Sequence, residues 1–171
     1  MDWVPQIVQS GCVLGMLPTF PPSSVVSWLP IDIAADAFID VIFHSGTANS
    51  TYLNLIHPNP ASWHDLFTEI SQSRGNLSLV PYVQWYTALN DLSFKDPQAA
   101  KRVAAIRILD FFAAGTKEFP RDTKREAMGM GMMSTDSAKR ICPSLATASP
   151  LSGEDVSKWM RYWKERGLFE L

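Results

Sequence analysis

The chain has 171 residues, 46% of them hydrophobic and 19% charged, with a formal net charge of −2. That describes one domain, or a large piece of one, with enough apolar material for a core. The charge balance offers no basic field for nucleic acid, and six Trp, nine Phe and four Tyr rule out a disordered composition.

In chain order, Asp2 is placed to cap a helix from Trp3 to about Met16, which Leu17-Pro18 ends. Thr19 to Ser24 is a Pro/Ser loop, and Val25 to Leu29 a short β-branched strand. Asp32 would cap a helix from Ile33 to about His44, with Ala34, Ala37, Phe38, Val41 and Ile42 inward and Asp36 and Asp40 in water. Three aspartates and Pro30 interrupt this apolar stretch, so it is not a membrane span.

Tyr52 to His57 is a second strand, closed by Pro58 and Pro60. Ser62 to Asp65 is a capping box opening a helix with Leu66, Phe67 and Ile70 inward, which Gly75 ends. Leu77 to Val80 is a third strand, and Val83 to Leu92 a helix carrying Trp85 and Leu89. Asp96-Pro97 opens a helix to about Ala114, stopped by Gly115. Thr116 to Met133 is a mixed-charge, Met-rich loop. Thr135 caps a short helix to Ile141, and Ser152 to Asp155 opens a last helix with Val156, Trp159, Met160 and Trp163 on one side.

Three strands separated by helices, then helices only, describe an α/β arrangement whose sheet is too thin to stand alone. Cys12 and Cys142 show no CxxC spacing, so reduced thiols in a cytoplasmic protein are expected. The first residues lack the basic and apolar regions of a signal peptide. His44, His57 and His64 lie on different elements without metal-ligand spacing.

Certain segments, taken in order, carry a resemblance. They are Asp2-Trp3-Val4-Pro5, Gly15-Met16-Leu17-Pro18, Val26-Ser27-Trp28-Leu29-Pro30-Ile31-Asp32, Leu53-Asn54-Leu55-Ile56-His57-Pro58 with Ser62-Trp63, Leu79-Val80-Pro81-Tyr82 with Trp85, and Leu109-Asp110-Phe111-Phe112. Together they resemble the C-terminal part of the thioester-reductase domain of fungal adenylate-forming reductases, which are nonribosomal-peptide-synthetase-like enzymes. The resemblance implies the C-terminal portion of an extended short-chain dehydrogenase fold, Rossmann-type, with its N-terminal dinucleotide-binding half missing. Residues 1–171 would then be the substrate-side region of a partial domain. The family releases a phosphopantetheine-bound acyl thioester as aldehyde or alcohol, using NADPH. Its implied partners are a phosphopantetheinylated carrier domain or the other reductase half.

A dinucleotide site needs glycines directly after a strand and opening a helix. No GxxGxxG occurs; Gly129-Met130-Gly131-Met132-Met133-Ser134 is the nearest approach, and the charged run Arg121 to Glu126 before it cannot be a buried strand. The family's catalytic Tyr needs a Lys four residues later to lower its pKa. Tyr52, Tyr82, Tyr86 and Tyr162 are followed at that distance by Ile56, Tyr86, Asn90 and Arg166. Arginine cannot take the lysine's part, so Tyr162 with Arg166 reads as a surface contact. No catalytic, cofactor-binding or metal residue is therefore assigned, and the chain is expected to be inactive alone. Cys12 reads as core.

Trp28, Trp63 and Trp85 stand near the ends of successive elements. They are ordinary core residues or the walls of an acyl-substrate pocket, and aromatic walls suit a greasy thioester. Lys117, Arg121, Lys124 and Arg125 could steer an acidic carrier, although Glu118, Asp122 and Glu126 offset them. An alternative to the fragment is a stand-alone binding module for an acyl carrier protein or a separate reductase half.

Overall fold

The computed structural model describes residues 2–44, 52–116, 124–129 and 131–169. Helix α1 (Trp3–Leu14) stops at Gly15, whose φ of 72° is left-handed and whose N–H donates to the Gly11 carbonyl at 2.8 Å. Such a cap suits glycine, which has no Cβ to clash there. The chain then runs into β1 (Met16–Thr19), a strand inside the stretch expected to end the helix and begin a loop. Pro18 misleads at this point. It is tolerated because β1 belongs to a two-stranded sheet, where a missing N–H can face away from the ladder.

The partner of β1 is β4 (Ser78–Pro81), in parallel register from Met16 opposite Ser78 to Thr19 opposite Pro81. Parallel neighbours need a long crossover. Here it contains β2 (Ser24–Val26), α2 (Ile31–Phe43), β3 (Ala61–Ser62) and α3 (Trp63–Ser73). A second sheet has the order β3-β2-β5, with β2 antiparallel to β3 and parallel to β5 (Arg125–Glu126). Helix α4 (Tyr82–Lys95) follows β4 directly. The chain closes with α5 (Leu109–Ala113), α6 (Asp136–Ile141), α7 (Pro143–Ala146) and α8 (Gly153–Glu165).

Several expectations need correction. Tyr52 to His57 forms no ladder; the His57 N–H donates to the carbonyl of Ser27, the residue after β2, at 3.0 Å. Arg125 and Glu126, expected in a charged loop, form the half-buried strand β5, and the Glu126 Oε2 accepts the Ser27 N–H at 3.1 Å. Ala127–Gly129 of that loop form a 3-10 turn, and its residues 117–123 and 130 lie outside the described residues. Neither Asp2 nor Asp32 caps through its side chain; Pro30 is the N-cap of α2. On α2, Phe38 and Ile42 are exposed and only Ala37 is fully buried, so the inward stripe is rotated from the expected one.

The helix expected from Asp96 to Ala114 breaks into 3-10 turns at Ala99–Lys101 and Ala104–Ile108 before α5. Val103 is extended there, with φ −118° and ψ 98°. Two buried polar side chains of α1 stabilise the break. Gln9 donates to the Arg102 carbonyl at 2.7 Å and accepts the Ala104 N–H at 2.9 Å, while Ser10 accepts the Ala105 N–H at 2.9 Å. These bonds replace the intrahelical ones that the sequence pattern alone would form.

The main core gathers Ile7, Leu17, Val26, Trp63, Phe67, Ile70, Trp85, Leu89 and Phe112 from α1, the strands and α3 to α5. Val156 and Met160 of α8 close it from the side of α3, and α8 begins with a capping box. In that box Ser152 Oγ accepts the Glu154 N–H, and the Ser152 N–H donates to Asp155. A smaller core holds Ala37 of α2 against Ala138, Cys142 and Leu145.

Candidate functional site

The three tryptophans expected at a pocket fall into one network of rings, at different depths. Trp63 opens α3 and is 1% exposed; its indole N–H donates to the Pro18 carbonyl at 3.0 Å, tying α3 to β1. It stacks on Phe67, with centroids 3.9 Å apart, and on Trp3 at 5.9 Å. Trp28 is half-buried and meets Trp3 and Trp63 edge-on, each at 6.0 Å, and Trp159 at 5.9 Å. Trp85 is fully buried and two rings away: Phe20 touches Trp63 and Tyr82, and Tyr82 touches Trp85. Trp28 and Trp63 are thus brought together and Trp85 is not. Trp3, Phe20, Phe111 and Trp159 also belong to the network; helical spacing places Trp159 on the apolar side of the last helix, whereas no local spacing points to Trp3 or Phe20, whose contacts join different elements.

Trp3, Phe20, Trp28 and Trp159 are half-buried, so their rings are what the network presents towards solvent. Edge-on and stacked pairs of this kind form rigid apolar walls. A separate crevice of about 290 Å³ lies between α3 and the start of α8, lined by Asp65, Leu66, Glu69, Leu151 and Gly153 among others. None of the three tryptophans lines it.

The titratable groups are held in structural roles. Tyr82 donates its phenol hydrogen to the Phe112 carbonyl at 2.8 Å, and burial, with a smaller effect of Tyr86, pushes its pKa well above the ordinary phenol value. It is a poor proton relay. His57 is 1% exposed, with Nδ1 accepting the Asn59 N–H at 3.1 Å and Nε2 2.9 Å from the Ser149 carbonyl. That pairing fixes the hydrogen on Nε2 and uses both ring nitrogens. His64 is exposed, 3.5 Å from Thr19 Oγ1.

Cys12, expected in the core, is half-buried, and its sulfur accepts from Arg74 Nε at 3.3 Å. Cys142 is buried and donates to the Ala37 carbonyl at 3.5 Å, with its thiol pKa raised by desolvation and then by Asp40. Tyr162 is exposed beneath the Arg166 guanidinium, 5.2 Å from the ring centre. Among the described residues no cluster of three His, Cys, Asp or Glu could hold a metal ion, and no helix is long and apolar enough to cross a membrane.

A dinucleotide needs a backbone loop with room for a pyrophosphate between strand and helix. Strand β3 passes into α3 at Ser62-Trp63 and β4 into α4 at Pro81-Tyr82, with no residue between and no glycine. β2 reaches α2 through Ser27-Trp28-Leu29-Pro30, again without glycine. Gly129 and Gly131 follow β5 but open no helix; the next one begins at Asp136. The described residues do not fit the cofactor.

With this geometry the relatives can be read. No family model matches the chain. Adenylate-forming reductase Nps11 of Serpula lacrymans is 30% identical over 98% of the chain, and Nps10 of Heterobasidion annosum is 30% identical over the same share. Its homologues are fungal adenylate-forming reductases. The chain spans 16% of the length of these relatives. In fold it matches the terminal R domain of the myxalamid PKS-NRPS pathway, with a TM-score of 0.71 at 16% identity. That match covers 99% of the chain and 40% of the R domain's chain. The α/β class and the resemblance read from the ordered segments both stand.

Proposed function

We propose that residues 1–171 are the substrate-side region of a thioester-reductase domain. In the complete domain a carrier-bound acyl thioester is reduced to aldehyde or alcohol with NADPH in the cytoplasm, and these residues shape the acyl pocket without holding the cofactor. The observation that carries the reading is the R-domain fold over 99% of the chain, together with strand–helix junctions that, among the described residues, leave no pyrophosphate loop. Trp28, backed by Trp63 and flanked by Trp3, is the proposed aromatic wall; Trp85 acts from behind it, through Tyr82 and Phe20. The carrier's phosphopantetheine is the proposed thioester donor.

The test is a fluorescence titration of the purified 171-residue chain with NADPH, run beside a reduction assay on an acyl thioester. The chain alone should give no saturable cofactor binding and no NADPH oxidation. Saturable binding would sink the reading that the cofactor site lies elsewhere.

A second reading, that the chain works as a separate module binding a carrier or a reductase half, is favoured by its closed main core, in which Trp63, Trp85, Phe67 and Phe112 are fully buried. Cooperative thermal unfolding of a monomer supports the module, and aggregation of the isolated chain counts against it.

A further inference from the structure

Helix α2 is apolar on two opposite sides, and only one of them is used. Its inner side sets Ala37, with Ile33 and Val41, against α6 and α7. On the outer side Ile31, Phe38, Ile39 and Ile42 stand open, Ile31 at 86% and Ile42 at 72% exposure. The spacing 31, 35, 38, 39, 42 is one continuous helical stripe, with Ala35 at its centre where a neighbouring backbone could approach closely. A helix that is apolar all round belongs inside a larger structure, and a stripe of this kind in water marks an interface.

We infer that this outer stripe is the docking surface for the remainder of the reductase domain, the part that carries the dinucleotide site. The inference rests on the reading proposed above and assigns its partner a place. The matched R domain continues well beyond this chain, which covers 40% of it, so most of that domain's packing partners are supplied by other residues. Charge argues against a second copy. The exposed Asp36 lies on the rim of the stripe and α2 contains no lysine or arginine, so an isologous pair would desolvate Asp36 with no cation from the facing helix. The fitting partner has an apolar centre and a basic group opposite Asp36.

The test mixes the 171-residue chain with adenylate-forming reductase Nps11 of Serpula lacrymans from which the matched region has been deleted. Binding is followed by sedimentation and titration. The wild-type chain should form a one-to-one complex, and Ile39→Asp should weaken it at least about tenfold, as removal of a central apolar anchor does. Asp36→Lys should weaken it as well, and Ser157→Asp on α8 should not. Because Ile39 and Asp36 are exposed, both variants should melt within about 2 °C of wild type, as surface substitutions do.

Absence of a complex overturns the inference, and so does equal binding of wild type and Ile39→Asp. A dimer of the chain alone that Ile39→Asp abolishes makes a second copy the occupant and also overturns it. NADPH-dependent thioester reduction by the mixture reports separately on the functional reading. Reduction with equal binding of the variants removes the interface and leaves that reading, whereas an Ile39-dependent complex without reduction removes the reading and leaves the interface.

Discussion

Gln9 bonds two backbone groups on a distant segment, both beside the break at Val103. Truncating it to Ala leaves the Arg102 carbonyl and the Ala104 N–H without that partner and should cost about 2 kcal/mol, the usual range for stranded polar groups. Urea unfolding of Gln9→Ala should read this as a lower midpoint at unchanged slope. Asp40 accepts from both the hydroxyl and the N–H of Ser144, at 2.6 and 3.0 Å, and these two bonds lower its pKa below the ordinary 3.8. The sign follows: the link stabilises the fold above pH 3.8 and is lost as the pH falls through the lowered folded value. The stability gap between wild type and Asp40→Asn should therefore narrow in acid, and a gap independent of pH would remove Asp40 from that role.

Among the elements, the caps make the clearest cases. Gly15 holds a φ of 72°, and Gly15→Ala should cost about 1 kcal/mol through backbone strain alone. Ser152→Ala opens the capping box of α8 and should also cost about 1 kcal/mol. Thermal melts of the two variants check both figures. Ser152, Ser62, Trp85 and Leu89 could be read from the sequence because capping and helical spacing are local. The 3-10 turns after Asp96 could not, since the periodicity there is helical and the competing bonds come from Gln9 and Ser10. Strand β1 was hidden by Pro18, and β5 by its charges. The face of α2 was undecidable from periodicity, because a helix with two apolar sides fits either orientation. At the site, the residue types were legible, but the ring contacts that separate Trp28 and Trp63 from Trp85 were not.

At the scale of the molecule the two cores differ in depth. The main one is built on whole aromatic side chains, whereas the smaller one rests on Ala37, Ala138, Cys142 and Leu145. Local opening is easiest where few apolar contacts must be broken. Amide hydrogen exchange should therefore be faster in α2, α6 and α7 than in α3 and α4, and equal protection would show a single cooperative unit. The α2 stripe and the shallow core lie on the same part of the fold, so a partner seated on α2 would also slow exchange in α6 and α7.

The bonds from α1 to the segment after Asp96 span 93 to 95 residues. During synthesis at about 5–20 residues per second, α1 emerges about 5–20 s before its hydrogen-bond partners exist. For that interval Gln9 and Ser10 are polar side chains on a helix face whose destination is the interior. Until the backbone of 102–105 has been made, water is the partner left to these two side chains.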